Sequence, residues 1–232
     1  MSDLVDAPYS GVDNLETMEE AVNYNAFLQQ LIRKHARRGD TIVDFGAGTG
    51  VIARPLAAAG HDVTCIEPDR ALRVQLHASG LQAYASLSEL PPESVDLVYS
   101  INVLEHIHDD IAALADIRGR VKPNGRLVIY VPAFPLLYSS MDRKVGHIRR
   151  YRWKMLEGAL RSAGLAVDRI AYQDCLGFVA ALLFKRLGSA DGTINRSALL
   201  LYDRLAFPLS QLLDPCTEKC FGKNLLAIAH RA

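Results

Sequence analysis

The run Asp44-Phe45-Gly46-Ala47-Gly48-Thr49-Gly50 sets three alternate glycines between an apolar stretch and a helical pattern. Glycine lets a backbone turn tightly and approach a ligand with no Cβ in the way, and a helix behind the turn presents unpaired N–H groups. Such a turn suits a nucleotide-like ligand. Glu67 ends the next strand-like run, at about the twenty-residue spacing where a carboxylate can accept hydrogen bonds from both hydroxyls of a ribose. The glycine spacing departs from the G-x-G-x-x-G of dinucleotide binders, because Val51 stands where the third glycine would fall. A looser G-x-G-x-x-A through Gly48, Gly50 and Ala53 keeps an NAD-dependent oxidoreductase as an alternative. Residues 143–154 form a second group, with six Lys or Arg, one His and no acid. Forked guanidinium groups recognise phosphate and carboxylate, and a histidine with an ordinary pKa of about 6.5 can act as a general base. Arg149 and Arg150 are therefore expected to hold an anionic or polar substrate group, with His147 and Tyr151 as the catalytic groups beside them. A solvated basic face is the alternative.

The hydrophobic pattern supplies a scaffold for these residues. A long helical pattern over 15–38, with Met18, Val22, Phe27, Leu28, Leu31 and Ile32 as its apolar members, closes at Arg37-Arg38-Gly39. Strand patterns at 41–45, 62–67, 81–85, 95–100 and 126–131 then alternate with helical patterns at 51–59, 70–78 and 109–121. A helix over 154–163, a strand over 165–172 and an apolar strand over 224–230 complete the chain. This alternation predicts a doubly wound α/β fold, a mostly parallel sheet with helices on both faces. Ligands of such open sheets bind at the carboxyl edge, where the glycine turn and the basic segment both fall. One domain is expected: an N-terminal helical segment over 1–38, a ligand-binding core over 39–170, a helical cap over 171–222 and the last strand over 223–232.

The 232 residues suffice for one such domain. Half are hydrophobic and 22% charged, which excludes extended disorder. Lys+Arg and Asp+Glu both total 26, so no net charge draws the whole protein toward nucleic acid. Residues 1–10 carry two aspartates and no apolar core, unlike a secretory signal. Cys65, Cys175, Cys216 and Cys220 form no C-x-x-C pair, and free thiols in a reducing cytoplasm are expected. Cys216 and Cys220 lack the companion ligands of a zinc site, so no metal is expected. No run approaches the roughly twenty apolar residues that span a bilayer. The apolar segments 176–184 and 198–213 read as core or cap helices, with an apolar substrate pocket or contact with a membrane surface as alternatives.

Four motifs in order carry a resemblance. They are Val43-Asp44-Phe45-Gly46-Ala47-Gly48-Thr49-Gly50, then Ile66-Glu67-Pro68-Asp69, the run from Val95 to Ile107 with Leu104-Glu105-His106, and Lys122-Pro123-Asn124-Gly125-Arg126-Leu127-Val128-Ile129. Over 43–132 the chain resembles the class I S-adenosylmethionine (SAM) dependent methyltransferases. The resemblance implies a Rossmann-like seven-stranded sheet whose last strand inserts antiparallel beside the fifth. It also implies SAM as cofactor and S-adenosylhomocysteine as product. Asp44 would orient the turn and the cofactor's amino group, with Gly46, Ala47, Gly48 and Gly50 along its methionine part and Glu67 and Pro68 at its ribose. The family usually sets an acid after the third strand for adenine. Here Ser86 stands there, with Leu87 as an apolar wall, so the Ser86 hydroxyl or a nearby carbonyl would make the adenine contact.

Ser100 and Asn102 match positions where the family's sheet opens onto the methyl group, and Glu105-His106 matches an architectural pair. Gly146-His147-Ile148-Arg149-Arg150-Tyr151 resembles a motif of a branch found in surface-glycan and natural-product pathways. The implied activity is methyl transfer to a small molecule, or to a lipid- or nucleotide-linked acceptor that is anionic or partly apolar. A SAM-binding regulator without catalysis is the alternative. A nucleic-acid substrate ranks low, because no Asn-Pro-Pro-Tyr-like motif is present. Whether O, N or C accepts the methyl group stays open, as do peripheral membrane contact and a homodimer.

Overall fold

The computed structural model describes residues 12–187 and 191–232. The stretch read above as lacking a secretory signal lies outside the described residues. Two helices come first, α1 (Val12–Glu19) and α2 (Val22–His35). Then β1 (Thr41–Phe45), α3 (Ala53–Ala58), β2 (Asp62–Ile66), α4 (Arg70–Ala78), β3 (Gln82–Tyr84), β4 (Val95–Ile101), α5 (Asp110–Arg120) and β5 (Val121–Pro132) alternate. All pairings among these five strands are parallel. After α6 (Ser140–Val145) and α7 (Trp153–Ser162) comes β6 (Ala166–Gln173). Next come α8 (Cys175–Leu187), α9 (Arg196–Leu201), a π-helical turn (Tyr202–Ala206) and α10 (Phe207–Thr217). The final strand, β7 (Asn224–His230), inserts antiparallel between β5 and β6, and the sheet order is β3-β2-β1-β4-β5-β7-β6. This is the α/β architecture the pattern predicts.

Neighbouring residues of a strand point to opposite faces, and in β1 both Ile42 and Val43 are fully buried. Helices must therefore cover both sides. Ile42 packs in a core with Leu28 of α2, Leu56 of α3 and Leu76 of α4. Val43 belongs to the opposite core, with Leu114 of α5 and Leu156 of α7. All four cysteines are free thiols, and no helix among the described residues is long and apolar enough to cross a membrane.

Two elements depart from expectation. The single helix expected over 15–38 is broken at Glu20-Ala21, because the Asp203 carboxylate accepts the Asn23 and Tyr24 N–H groups at 2.9 Å each and starts a new helix there. Strand β5 begins at Val121 rather than 126. Val121 already pairs with Val95, and an irregularity carrying Asn124 at φ +62° absorbs the Lys122-Pro123-Asn124-Gly125 run that reads locally as a turn.

Candidate active site

The glycine turn joins β1 to the end of β2. The Gly46 and Ala47 N–H groups both donate to the Ile66 carbonyl, at 2.8 and 3.2 Å. Gly46 has φ +83°, and a Cβ there would lie 2.3 Å from Val103 Cγ2, so both conformation and space require glycine. Glu67, buried just past β2, accepts the Gly48 N–H through Oε2 at 2.8 Å and the Asp69 N–H through Oε1 at 2.9 Å. Burial raises its pKa, with the two backbone hydrogen bonds opposing the rise. Each carboxylate oxygen keeps a second lone-pair site, so acceptance of ribose hydroxyls fits this geometry.

Asp44, buried in β1, accepts the Tyr99 hydroxyl at 2.9 Å. Burial pushes its carboxyl up to about 7, against the Tyr99 hydrogen bond. Asn102 follows β4 at φ +55°, its N–H donating to the Tyr130 carbonyl and its amide 3.5 Å from the Tyr24 hydroxyl. Ser100 Oγ and Thr49 Oγ1 are buried without a hydrogen-bond partner among the described residues, leaving polar capacity at this edge. Ser86 lies at the exit of β3, where its hydroxyl accepts the Ser88 N–H at 3.3 Å in a capping box with Glu89. Leu87 is buried beside it and Pro68 is exposed. The carboxyl ends of β1 to β4 thus bring Asp44, Gly46, Ala47, Gly48, Gly50, Glu67, Ser86, Ser100 and Asn102 to one edge of the sheet, which fits an adenosine-bearing cofactor.

The basic segment folds onto that edge differently from expectation. Arg150 is 3% exposed, and its guanidinium donates to both oxygens of Asp142, Nε to Oδ1 at 2.8 Å and Nη2 to Oδ2 at 3.0 Å. A buried cation needs such a partner. Arg150 therefore anchors the segment and is not offered to an acceptor, which corrects the expectation. Tyr151 is corrected as well. It is fully buried, and its hydroxyl donates to Asp110 at 2.7 Å and lies 3.2 Å from the Leu104 carbonyl, so it has no access to a substrate. Burial and the Asp110 hydrogen bond push its phenol well above the ordinary range. Arg149 stays partly exposed, paired with Asp110 at 2.8 Å and donating to the His108 carbonyl at 2.6 Å.

His147 lies between two buried carboxylates. Its Nδ1 is 2.7 Å from Asp142 Oδ1 and its Nε2 is 3.5 Å from Glu105 Oε1, with the His106 ring edge-on at 4.7 Å. Burial would raise the Asp142 pKa, but the His147 hydrogen bond and the Arg150 charge hold it well below the ordinary carboxylate range. Burial pushes Glu105 up to about 8, and neither of its oxygens has a hydrogen-bond partner among the described residues. Burial also lowers His106 to about 4.

Sequence reasoning missed Tyr24, Tyr99 and Asp142. Tyr99 sits among apolar strand residues, and Tyr24 interrupts no helical pattern. Asp142 had a usable signal, since it immediately precedes the basic run.

Comparison with known proteins agrees with this geometry. A family model described as a methyltransferase domain matches residues 16–170. A ubiquinone biosynthesis O-methyltransferase of Photobacterium profundum is 32% identical over 99 residues, covering 38% of this chain and 42% of that protein. Its counterpart from Paramagnetospirillum magneticum is 38% identical over 95 residues, covering 38% of each chain. The chain therefore spans less than half the length of these curated relatives. Among solved structures, a SAM-dependent methyltransferase from Mesorhizobium loti superposes with a TM-score of 0.57 at 19% identity, over 87% of this chain and 96% of that one. Geranyl diphosphate C-methyltransferase from Streptomyces coelicolor, solved with Mg2+, geranyl diphosphate and S-adenosylhomocysteine, gives 0.63 at 14% identity, over 89% and 79%. At such identities the structural likeness concerns the fold.

Proposed function

Because the chain belongs to this methyltransferase domain family, we propose that it transfers a methyl group from SAM to a small-molecule acceptor in a biosynthetic pathway. The hydrogen bond from the Gly48 N–H to Glu67 carries this reading, since it sets an acid against a glycine turn at the carboxyl edge of a parallel sheet. SAM, when bound, supplies a methyl group already activated by its sulfonium. The protein's part is alignment of the acceptor and removal of any proton it loses. Glu67 holds the ribose hydroxyls, Asp44 meets the amino group, and Asn102 and Ser100 face the reacting end.

A reducing cytoplasm fits the four free thiols. Membership of the branch with the Gly-His-x-Arg-Arg-Tyr motif, and a capping role for 171–222, belong to the same proposal. The O-methyltransferase relatives support a hydroxyl as the acceptor group. The test is incubation with methyl-labelled SAM and fractionated extract of the source organism, followed by mass identification of the product. A labelled small molecule is expected. Bound SAM with no labelled product in any fraction supports a regulator instead.

Asp44 makes SAM affinity depend on pH. Its proton stays on up to about pH 7 in the free protein. An ammonium beside it favours the carboxylate, so binding must displace that proton at lower pH. Affinity is expected to fall by a factor approaching ~10 for each pH unit below that point, and Asp44→Asn should flatten the profile. For folding the same raised pKa acts in the opposite sense. Its stabilisation is complete below about pH 4 and is lost as pH rises through the folded value. Titration calorimetry at several pH values checks the binding profile, and a flat wild-type profile removes Asp44 from the site.

The acceptor is assigned to Arg149 and His147, which keep some exposure where Arg150 and Tyr151 are buried. Arg149→Ala is expected to raise the acceptor KM, and His147→Ala to lower kcat more than it raises KM, with SAM affinity nearly unchanged in both. Steady-state kinetics on the identified acceptor checks this. Unchanged parameters in both variants would leave only a solvated basic face.

A further inference from the structure

The outer face of the cap is apolar in a way that methyl transfer does not use. Leu201, Leu205, Leu209, Leu212 and Leu213 are 62, 66, 50, 77 and 40% exposed. They recur at helical spacing along α9, the π-helical turn and α10, which run on without a break from Arg196 to Thr217. At about 1.5 Å per residue they make a stripe roughly 18 Å long. Val179 and Leu183, 48 and 55% exposed, continue the apolar character on α8, which packs against α10.

The opposite face of the same helices buries polar groups beside Phe207. Asp203 caps α2, and Asp214 accepts the Asp174 and Cys175 N–H groups at 2.8 and 2.9 Å, capping α8. These are the only carboxylates between Gly192 and Thr217, and both are turned inward and buried. Outward charge over that stretch comes from Arg204 and from Arg196, which pairs with Glu20. Lys185 and Arg186, both exposed, add cations at the end of α8.

We propose that this leucine face lies on the surface of an anionic lipid bilayer. An exposed apolar stripe flanked by arginine and lysine, with its acids turned away, has the composition of a helix that rests in the lipid interface. The leucines would enter the acyl boundary while the guanidinium and ammonium groups meet lipid phosphates. A second copy of the chain fits less well. A two-fold contact sets the same patch against itself, which brings Arg204 toward its own copy over a stretch whose carboxylates, Asp203 and Asp214, are buried.

Sedimentation with vesicles of phosphatidylcholine, with and without phosphatidylglycerol, tests this. Wild-type protein should pellet with the anionic vesicles and be released by high salt. The exposed pair Leu205→Glu/Leu212→Glu should weaken that binding on the order of tenfold or more, while S-adenosylhomocysteine binding stays unchanged and so reports an intact fold. Three results overturn the proposal: wild type absent from the anionic pellet, wild type bound alike to both vesicle types and resistant to salt, or a dimer in light scattering that the double variant dissolves.

Discussion

Arg150→Ala is expected to destabilise the fold by about 3–5 kcal/mol, the range for breaking one side of a buried ion pair. The Arg150 and Asp142 side chains are only 2% and 0% exposed, so neither charge is screened by water. Removing the guanidinium leaves the Asp142 carboxylate buried with His147 as its remaining ionic partner and frees the Ala133 carbonyl, which the Arg150 guanidinium reaches at 3.3 Å. Asp142 also accepts the Ser139 N–H that starts α6, so the loss extends to the local helix. Pairing the change with Asp142→Asn should recover part of the stability, because the unpaired charge is then gone. Arg149→Ala, at a partly exposed pair, should cost only about 0.2–1 kcal/mol. Urea unfolding of the four proteins measures these differences. An Arg150→Ala midpoint equal to wild type would contradict the buried anchor and return Arg150 to the acceptor site.

Glu67→Ala is expected to lower SAM affinity by on the order of 1.5–3 kcal/mol, a factor of about 10–150 in Kd. Two losses combine. The ribose hydroxyls lose a charged acceptor, and the Gly48 and Asp69 N–H groups lose the carboxylate that now orders the turn. Glu67→Gln keeps one acceptor oxygen and should fall between the two. Calorimetric titration with SAM reads the difference directly. Wild-type affinity in a folded Glu67→Ala protein takes Glu67 out of the site.

The meeting of the glycine turn with Glu67 was legible in the sequence because it is local. Gly46, Gly48 and Gly50 follow their strand directly, and Glu67 ends the next one, so one strand–turn–helix unit and its neighbour bring these residues together. The strand and helix alternation was legible for the same reason. The basic segment was not legible, because its charges are answered from elsewhere in the chain. Asp13 pairs with Lys144, and Asp110 with Arg149. Only Asp142, one residue ahead of the run, was near enough to predict that Arg150 turns inward. The break between α1 and α2 depends likewise on Asp203, far along the chain, and no local propensity announces it.

The central claim is that the glycine turn and Glu67 hold SAM, and cofactor titration of the purified protein tests it most directly. S-adenosylhomocysteine and SAM should both bind. At a hundredfold excess over Kd they should add about 2.7 kcal/mol of stability, a Tm rise of roughly 5–10 °C for a chain of this size, while NAD changes neither heat nor Tm. Binding of NAD with no binding of SAM or S-adenosylhomocysteine would contradict the account.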